Sequence, residues 1–92
     1  MRTRNHNEHQ SIRRRHVAVL LREWQHRFVD AEYVIARQRA MNMAMGALDL
    51  AVVAGIVSHC EFNRLLAWVQ GWRYQFPLEA VRGRKAAEYV NA

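Results

Sequence analysis

The feature that most constrains this chain is an apolar run over residues 40–57, in which Asp49 is the single charged residue. A membrane-spanning helix needs about 20 predominantly apolar residues, and a charge near its centre is costly. This run is shorter, carries Asp49 near its middle, and continues upstream into an arginine-bearing segment. The sequence therefore predicts a helix covered by protein, with no membrane insertion.

The rest of the chain also favours helices. One proline and four glycines among 92 residues suit long helices and argue against a strand-and-turn architecture. Apolar residues recur at steps of three and four along the first segment: Val17, Leu21, Trp24, Phe28, Ala31 and Ile35. The opposite face is polar: Arg15, Arg22, His26 and Arg37. We predict a flexible basic tail over residues 1–10 and one helix over about 12–54. The main alternative is a break near Asp30, which can cap a new helix.

The end of this helix is marked by local signals. Gly55 suits the position just after a helix, where a positive φ is needed. Ser58 and Glu61 have the spacing of a capping box, and Val57 and Phe62 that of a hydrophobic staple. We predict a corner at residues 55–58.

Two more helices are predicted after this corner. One spans residues 59–74 and folds back antiparallel to the first, and a short one spans residues 78–90 after Pro77. The fold class is therefore all-α: a helical hairpin with a short C-terminal helix, forming a single domain over residues 11–92.

The apolar run points to an interface. A helix that is apolar nearly all round is buried on several sides, and a chain this short has little left to cover it. We therefore predict a homodimeric helical bundle that also binds another protein. The sequence leaves open whether the two associations use one surface or two. The predicted interface residues are two aromatic anchors and four residues that supply contact area: Trp68, Trp72, Met41, Met45, Leu48 and Val52.

Nucleic acid is the alternative partner. The formal net charge is +6, and Arg13, Arg14 and Arg15 can neutralise phosphates. The predicted helix over residues 59–74 is rich in large apolar residues, whereas a recognition helix presents polar side chains to a DNA groove. Nucleic-acid binding through the N-terminal arm is therefore the second choice.

No catalytic signature is present. His59 and Cys60 are adjacent, so their side chains diverge on a helix, and there is no glycine-rich phosphate loop. We predict no enzyme activity, no metal, no cofactor and no small-molecule ligand. The N-terminal residues lack the apolar region of a signal peptide, so a cytoplasmic location is expected. Arginine and alanine usage suggests a bacterial source.

The predicted arrangement of helices over residues 12–74 resembles that of small bacterial anti-activators, which bind LuxR-type quorum-sensing regulators and block their dimerisation or DNA binding. The likeness lies in the architecture, with no shared residue motif. It implies a protein-binding regulator that inhibits a transcription factor by occupying a hydrophobic surface, such as its dimerisation surface.

Overall fold

The computed structural model describes the backbone of residues 2–91 and the side chains of residues 8–90, and every regular element in this part of the chain is a helix. The helices are α1 (Arg2–Asp30), α2 (Val34–Val53), α3 (His59–Gln70), α4 (Trp72–Gln75) and α5 (Leu78–Asn91). Together they form an elongated body of 59 × 25 × 17 Å. The all-α prediction is confirmed, as is the short C-terminal helix.

The predicted single helix over residues 12–54 is wrong, because residues 31–33 interrupt it. The alternative of a break near Asp30 is confirmed. At this break the chain turns, and α1 and α2 pack against each other. Phe28 and Ala40, on the two sides of the break, are at most 2% exposed. Burial of apolar surface contributes about 25 cal/mol per Å², and here it outweighs the few hydrogen bonds that an unbroken helix would keep.

Residues of α5 hold this break in place. The Lys85 ammonium lies 3.2 Å from a carboxylate oxygen of Asp30 and 3.6 Å from one of Glu32. The Arg82 side chain donates a hydrogen bond to the Glu32 carbonyl oxygen at 3.0 Å. Polar groups at the interruption are therefore satisfied by side chains about 50 residues further along the chain.

The predicted start of the first helix near residue 12 is too late, because α1 begins at Arg2. Residues 2–10 contain neither proline nor glycine, and a helix that is already nucleated downstream extends readily through such a segment. Met1, and the side chains of residues 2–7, lie outside the described part of the chain.

Small side chains allow close packing between α1 and α2. Ala40, Ala44 and Ala51 lie on one face of α2 and are at most 2% exposed. Larger residues complete the core: Leu21, Phe28, Met41, Leu48, Val69 and Trp72. Arg37, placed by the sequence on a polar face, is buried as well, because the break at residues 31–33 puts the faces of α2 out of register with those of α1.

The corner between α2 and α3 forms as predicted. Gly55 adopts a φ of 73°, in the left-handed region. The Ser58 hydroxyl accepts a hydrogen bond from the Glu61 amide at 3.1 Å, and the Ser58 amide donates to the Glu61 carboxylate at 3.4 Å. The complete capping box fixes the first turn of α3.

The predicted helix over residues 59–74 is divided. Helix α3 ends at Gln70, and α4 begins two residues later. A Cβ at Gly71 would lie 3.3 Å from the Ala67 carbonyl oxygen, which is tighter than ordinary contact. Trp72 follows immediately and is fully buried, with its ring 5.6 Å from that of Phe28. The short α4 thus inserts the largest side chain of the core.

Alanine substitutions at two glycines should shift stability in opposite directions. Gly55→Ala forces a Cβ into the left-handed region and should lower the free energy of unfolding by about 1 kcal/mol. Gly83 lies inside α5, and no atom lies within 4 Å of the position that an added methyl group would take, so Gly83→Ala should raise it by up to about 1 kcal/mol. Urea unfolding followed by circular dichroism measures both. A Gly55→Ala variant as stable as the parent protein would contradict the corner geometry, and a loss of stability in Gly83→Ala would contradict the open position in α5.

Candidate protein-binding groove

An apolar groove of about 880 Å³ runs between α1 and α2. One wall comes from α1 and the other from α2, and the corner closes one end. The residues that line it are Val17, Leu20, Trp24, Asn42, Met43, Gly46, Ala47, Asp49, Leu50, Ala51, Ala54 and Ile56.

The groove exists because large residues on α1 face small ones on α2. Leu20 and Trp24 are one turn apart and form a continuous apolar wall. Opposite them, Gly46, Ala47 and Ala54 have little or no side chain to fill the space. The narrow α2 wall therefore leaves a depression that the chain itself does not fill.

Helix α3 lies on the other side of the α1–α2 pair. It packs mainly on α2, and its residues Leu65, Trp68 and Val69 lie against the core. Two packed helices present a groove on either side. In this fold α3 partly covers one groove, and the groove lined by Leu20 and Leu50 is left open.

Several large side chains of the open groove are exposed. Leu20 is 41% exposed, Met43 49% and Leu50 73%. A contiguous apolar patch of this kind marks an interaction surface more often than scattered single residues do. The groove is therefore the candidate site for binding a partner.

Arginines border the groove. Arg13, Arg27 and Arg39 each lie three or four residues from a lining residue of the same helix, and all three are exposed. Glu23 pairs with Arg27 at 3.1 Å, and Asp49 is the one carboxylate among the lining residues. The border is therefore basic overall, which favours a partner with acidic flanks.

None of the six predicted interface residues lines this groove. Met41, Leu48 and Trp72 are at most 2% exposed and belong to the core of the chain itself, so they offer no surface to a partner. Met45 and Val52 are half-buried, and Met45 packs against the core.

Trp68, predicted as a surface anchor, is half-buried too. Its ring meets that of Trp72 edge to face, with centroids 5.1 Å apart. Together with Ala18 and Leu21 it lines a second depression, of about 350 Å³, between α1 and α3. The structure thus places Trp68 mainly in internal packing and leaves only part of it available to a partner.

The residues that the sequence missed are Leu20, Trp24, Met43 and Leu50. Met43 and Leu50 are seven residues apart and share a face of α2, as do Met41 and Leu48 on the buried face. Both pairs have the same spacing and similar hydrophobicity, so the sequence does not indicate which pair is buried and which lies at the surface. Only the position of α1 decides which pair remains exposed.

The three predicted nucleic-acid contacts do not form one patch. Arg13, Arg14 and Arg15 are all exposed, but consecutive residues on a helix point about 100° apart. The Arg14 guanidinium is paired with the Glu61 carboxylate, with two N–O distances of 3.2 and 2.5 Å. One of the three arginines thus ties α1 to α3.

The described residues contain neither a membrane-spanning helix nor a metal-binding cluster. Within residues 2–91, no helix combines the length and apolar character that crossing a bilayer requires. The same part of the chain holds no group of three His, Cys, Asp or Glu residues arranged to bind a metal ion.

Comparisons with protein-family models, with curated proteins and with solved structures give no match to this chain. The groove therefore has to be understood from its own geometry and chemistry.

Two leucines two residues apart test the placement of the core. Leu48→Ala removes a fully buried side chain and should lower the free energy of unfolding by about 3 kcal/mol. Leu50→Ala trims a side chain in the open groove and should change it by less than about 0.5 kcal/mol. Urea unfolding of the two variants provides the comparison. If Leu50→Ala lowered the free energy of unfolding strongly and Leu48→Ala did not, the assignment of core and groove would be reversed.

The Arg14–Glu61 pair predicts a pH effect. Hydrogen bonds from the Arg14 side chain, and then from the Ser58 amide, hold the pKa of Glu61 below its ordinary value of 4.5. Because the folded-state pKa is lowered, the pair stabilises the fold above that value and loses its effect as the pH falls through the folded-state pKa. An NMR titration of the Glu61 carboxyl should show this low pKa, and Arg14→Gln should raise it. An identical pKa in both proteins would contradict the pairing.

Proposed function

We propose that this protein is a binding module that captures an amphipathic helix of another protein in the groove between α1 and α2. The observation that carries the proposal is the open, apolar groove itself, on the side of the pair opposite α3. Amphipathic helices bind in such grooves through apolar residues spaced one turn apart. The protein acts by occupying a surface rather than by catalysis.

The dimensions suit a helix. At 1.5 Å per residue, the α2 wall from Met43 to Ala54 is about 16 Å long, which is about three helical turns. A partner helix would place anchors at positions i, i+3 or i+4, and i+7 along this length. It would occupy the position opposite α3 and complete a four-helix arrangement.

The charges favour an acidic partner. The groove border is basic, and a second copy of the chain carries the same formal charge of +6. Like charges oppose association, whereas acidic flanks on a partner helix would be attracted and oriented. We therefore assign the groove to a helix of another protein. The homodimer expected from the sequence becomes an outcome of the test.

We further propose that the partner is a transcriptional regulator, inhibited when its hydrophobic helix, such as one at its dimerisation surface, is covered. The support is the resemblance in helix arrangement to anti-activators of LuxR-type regulators. The break at residues 31–33 shortens the long helix on which that resemblance rests.

Two synthetic helical peptides of about 18 residues test the groove and its charge preference. Both carry the same leucine face, one flanked by glutamates and the other by lysines, and binding is followed by isothermal calorimetry. The acidic peptide should bind at least about tenfold more tightly, because the border is basic. Equal affinity for the two peptides, or no binding by either, would contradict the proposal.

Two variants of the protein test whether the peptide binds in the groove. Leu50→Glu puts a charge into the groove and should weaken the acidic peptide by at least about tenfold, which corresponds to about 1.4 kcal/mol. Val53→Glu is the matched control, since Val53 is 85% exposed on the same helix but does not line the groove. An equal loss in both variants would indicate a general charge effect instead of a site.

The alternative partners give distinct results. Sedimentation of the free protein across a dilution series reports a homodimer, which Leu50→Glu would dissociate if the groove is the self-interface. Nucleic-acid binding through the N-terminal arm would depend on salt and would be weakened when Arg15 is replaced by glutamine. Peptide binding in the groove should be unaltered by Arg15→Gln, because Arg15 neither lines nor borders the groove.

A further inference from the structure

A second site centres on Arg37, the single charged side chain among the described residues that is buried. It is 6% exposed. Its Nη2 donates to the Phe76 carbonyl oxygen, and its guanidinium carbon lies 4.0 Å from the centre of the Phe28 ring. Its Nη1 is buried and has no hydrogen-bond partner in the described chain. One side of the guanidinium is thus tied to the fold and the other is unsatisfied.

No carboxylate of the described residues compensates this charge directly. The ion pairs that the structure forms involve other cations, and Glu79 acts on Arg37 only from a distance. Burial lowers the pKa of Arg37, but a guanidinium remains protonated in proteins. Burying a charge without an opposite charge beside it is unfavourable, so an anion that reaches the guanidinium would be bound favourably.

A cavity lies beside this arginine. It has a volume of about 230 Å³ and is separate from the groove, with no lining residue in common. Arg73, which is exposed, lines it together with Arg37. Its apolar lining comes from Phe28, Val34, Met41 and Leu78. Two guanidinium groups and an apolar lining therefore meet in one space.

We propose that this cavity binds a small organic carboxylate, with the carboxylate between Arg37 and Arg73 and an apolar body against Phe28 and Met41. The planar fork of a guanidinium matches a carboxylate, and two such groups can hold both of its oxygens. The volume is below the range of about 300–1,000 Å³ typical of drug-sized sites, which limits the ligand to about ten non-hydrogen atoms. A medium-chain fatty acid has this size and chemistry.

The sequence gives no hint of this site. Arg37 belongs to a face that the sequence pattern predicts to be polar and exposed. It becomes buried because the chain breaks at residues 31–33 and brings the Phe28 ring and the Phe76 carbonyl oxygen against its guanidinium. The site is also independent of the proposed protein-binding groove. Failure of either proposal leaves the other standing, because the two tests use different probes and report at different residues.

Octanoate, at constant ionic strength, is the probe for this proposal, and octan-1-ol is its uncharged control. Backbone amide shifts are followed by NMR. Octanoate should give saturable shifts at Val34, Gln38 and Leu78, and octan-1-ol should bind at least about tenfold more weakly. Equal affinity for acid and alcohol, shifts confined to residues 43–50, or no saturation would each overturn the proposal.

Arg73→Gln provides the variant, because Arg73 is exposed and its loss should leave the fold intact. It should weaken octanoate by about tenfold, the effect of removing one charged hydrogen-bond donor. Arg64→Gln makes the same charge change at an exposed position outside the cavity and should leave binding unchanged. Octyl phosphate, which has the same chain length and a phosphate head group, is the third ligand. Tighter binding of octyl phosphate than of octanoate would overturn the assignment of the head group as a carboxylate.

Discussion

The close packing of α1 against α2 along a face of small residues is the constraint on which the rest of this structure depends. Ala40, Ala44 and Ala51 are almost completely buried there, and bulkier residues on this face would hold the helices apart. Once the two helices are packed, a groove is left on either side of the pair. Helix α3 covers one side and contributes Val69 to the core, followed by Trp72 of α4. The opposite groove is a direct result of the same packing.

Polar contacts from later parts of the chain accompany this packing. Lys85 and Arg82 of α5 contact the break around residues 30–32, and Arg37 links α2 to the end of α4 through the Phe76 carbonyl oxygen. These contacts are electrostatic and specific, whereas the core is apolar and adaptable. The cost of the arrangement is concentrated at Arg37, which is buried without a complete set of partners. Buried charges are normally paired, and departures from such rules are most often found at functional or strained sites. The cavity beside Arg37 could hold an anion that pairs with this charge.

The sequence predicted the features that local signals control. Gly55, Ser58 and Glu61 lie within seven residues, and the corner they form is the predicted one. From the sequence, a break near Asp30 is only the alternative to a single helix, because what decides between the two is the burial of residues such as Phe28 and Ala40 when α2 folds back on α1. No window around Asp30 contains that tertiary contact. Three of the six predicted interface residues, Met41, Leu48 and Trp72, are buried for a related reason. Met41 and Met43 lie on different faces of the same apolar helix, and only the position of α1 makes one a core residue and the other a groove residue.

The most direct measurement uses the methionines as reporters. Met41 is buried and Met43 lies in the groove, two residues away. Their methyl signals can be followed by NMR in the presence of a soluble paramagnetic agent, with and without the acidic amphipathic peptide. The account predicts that the free protein shows strong broadening at Met43 and little at Met41, and that the peptide protects Met43 alone. Protection of Met43 in the dilute free protein, or a peptide that leaves its exposure unchanged, would contradict the claim that the groove is open and binds a helix.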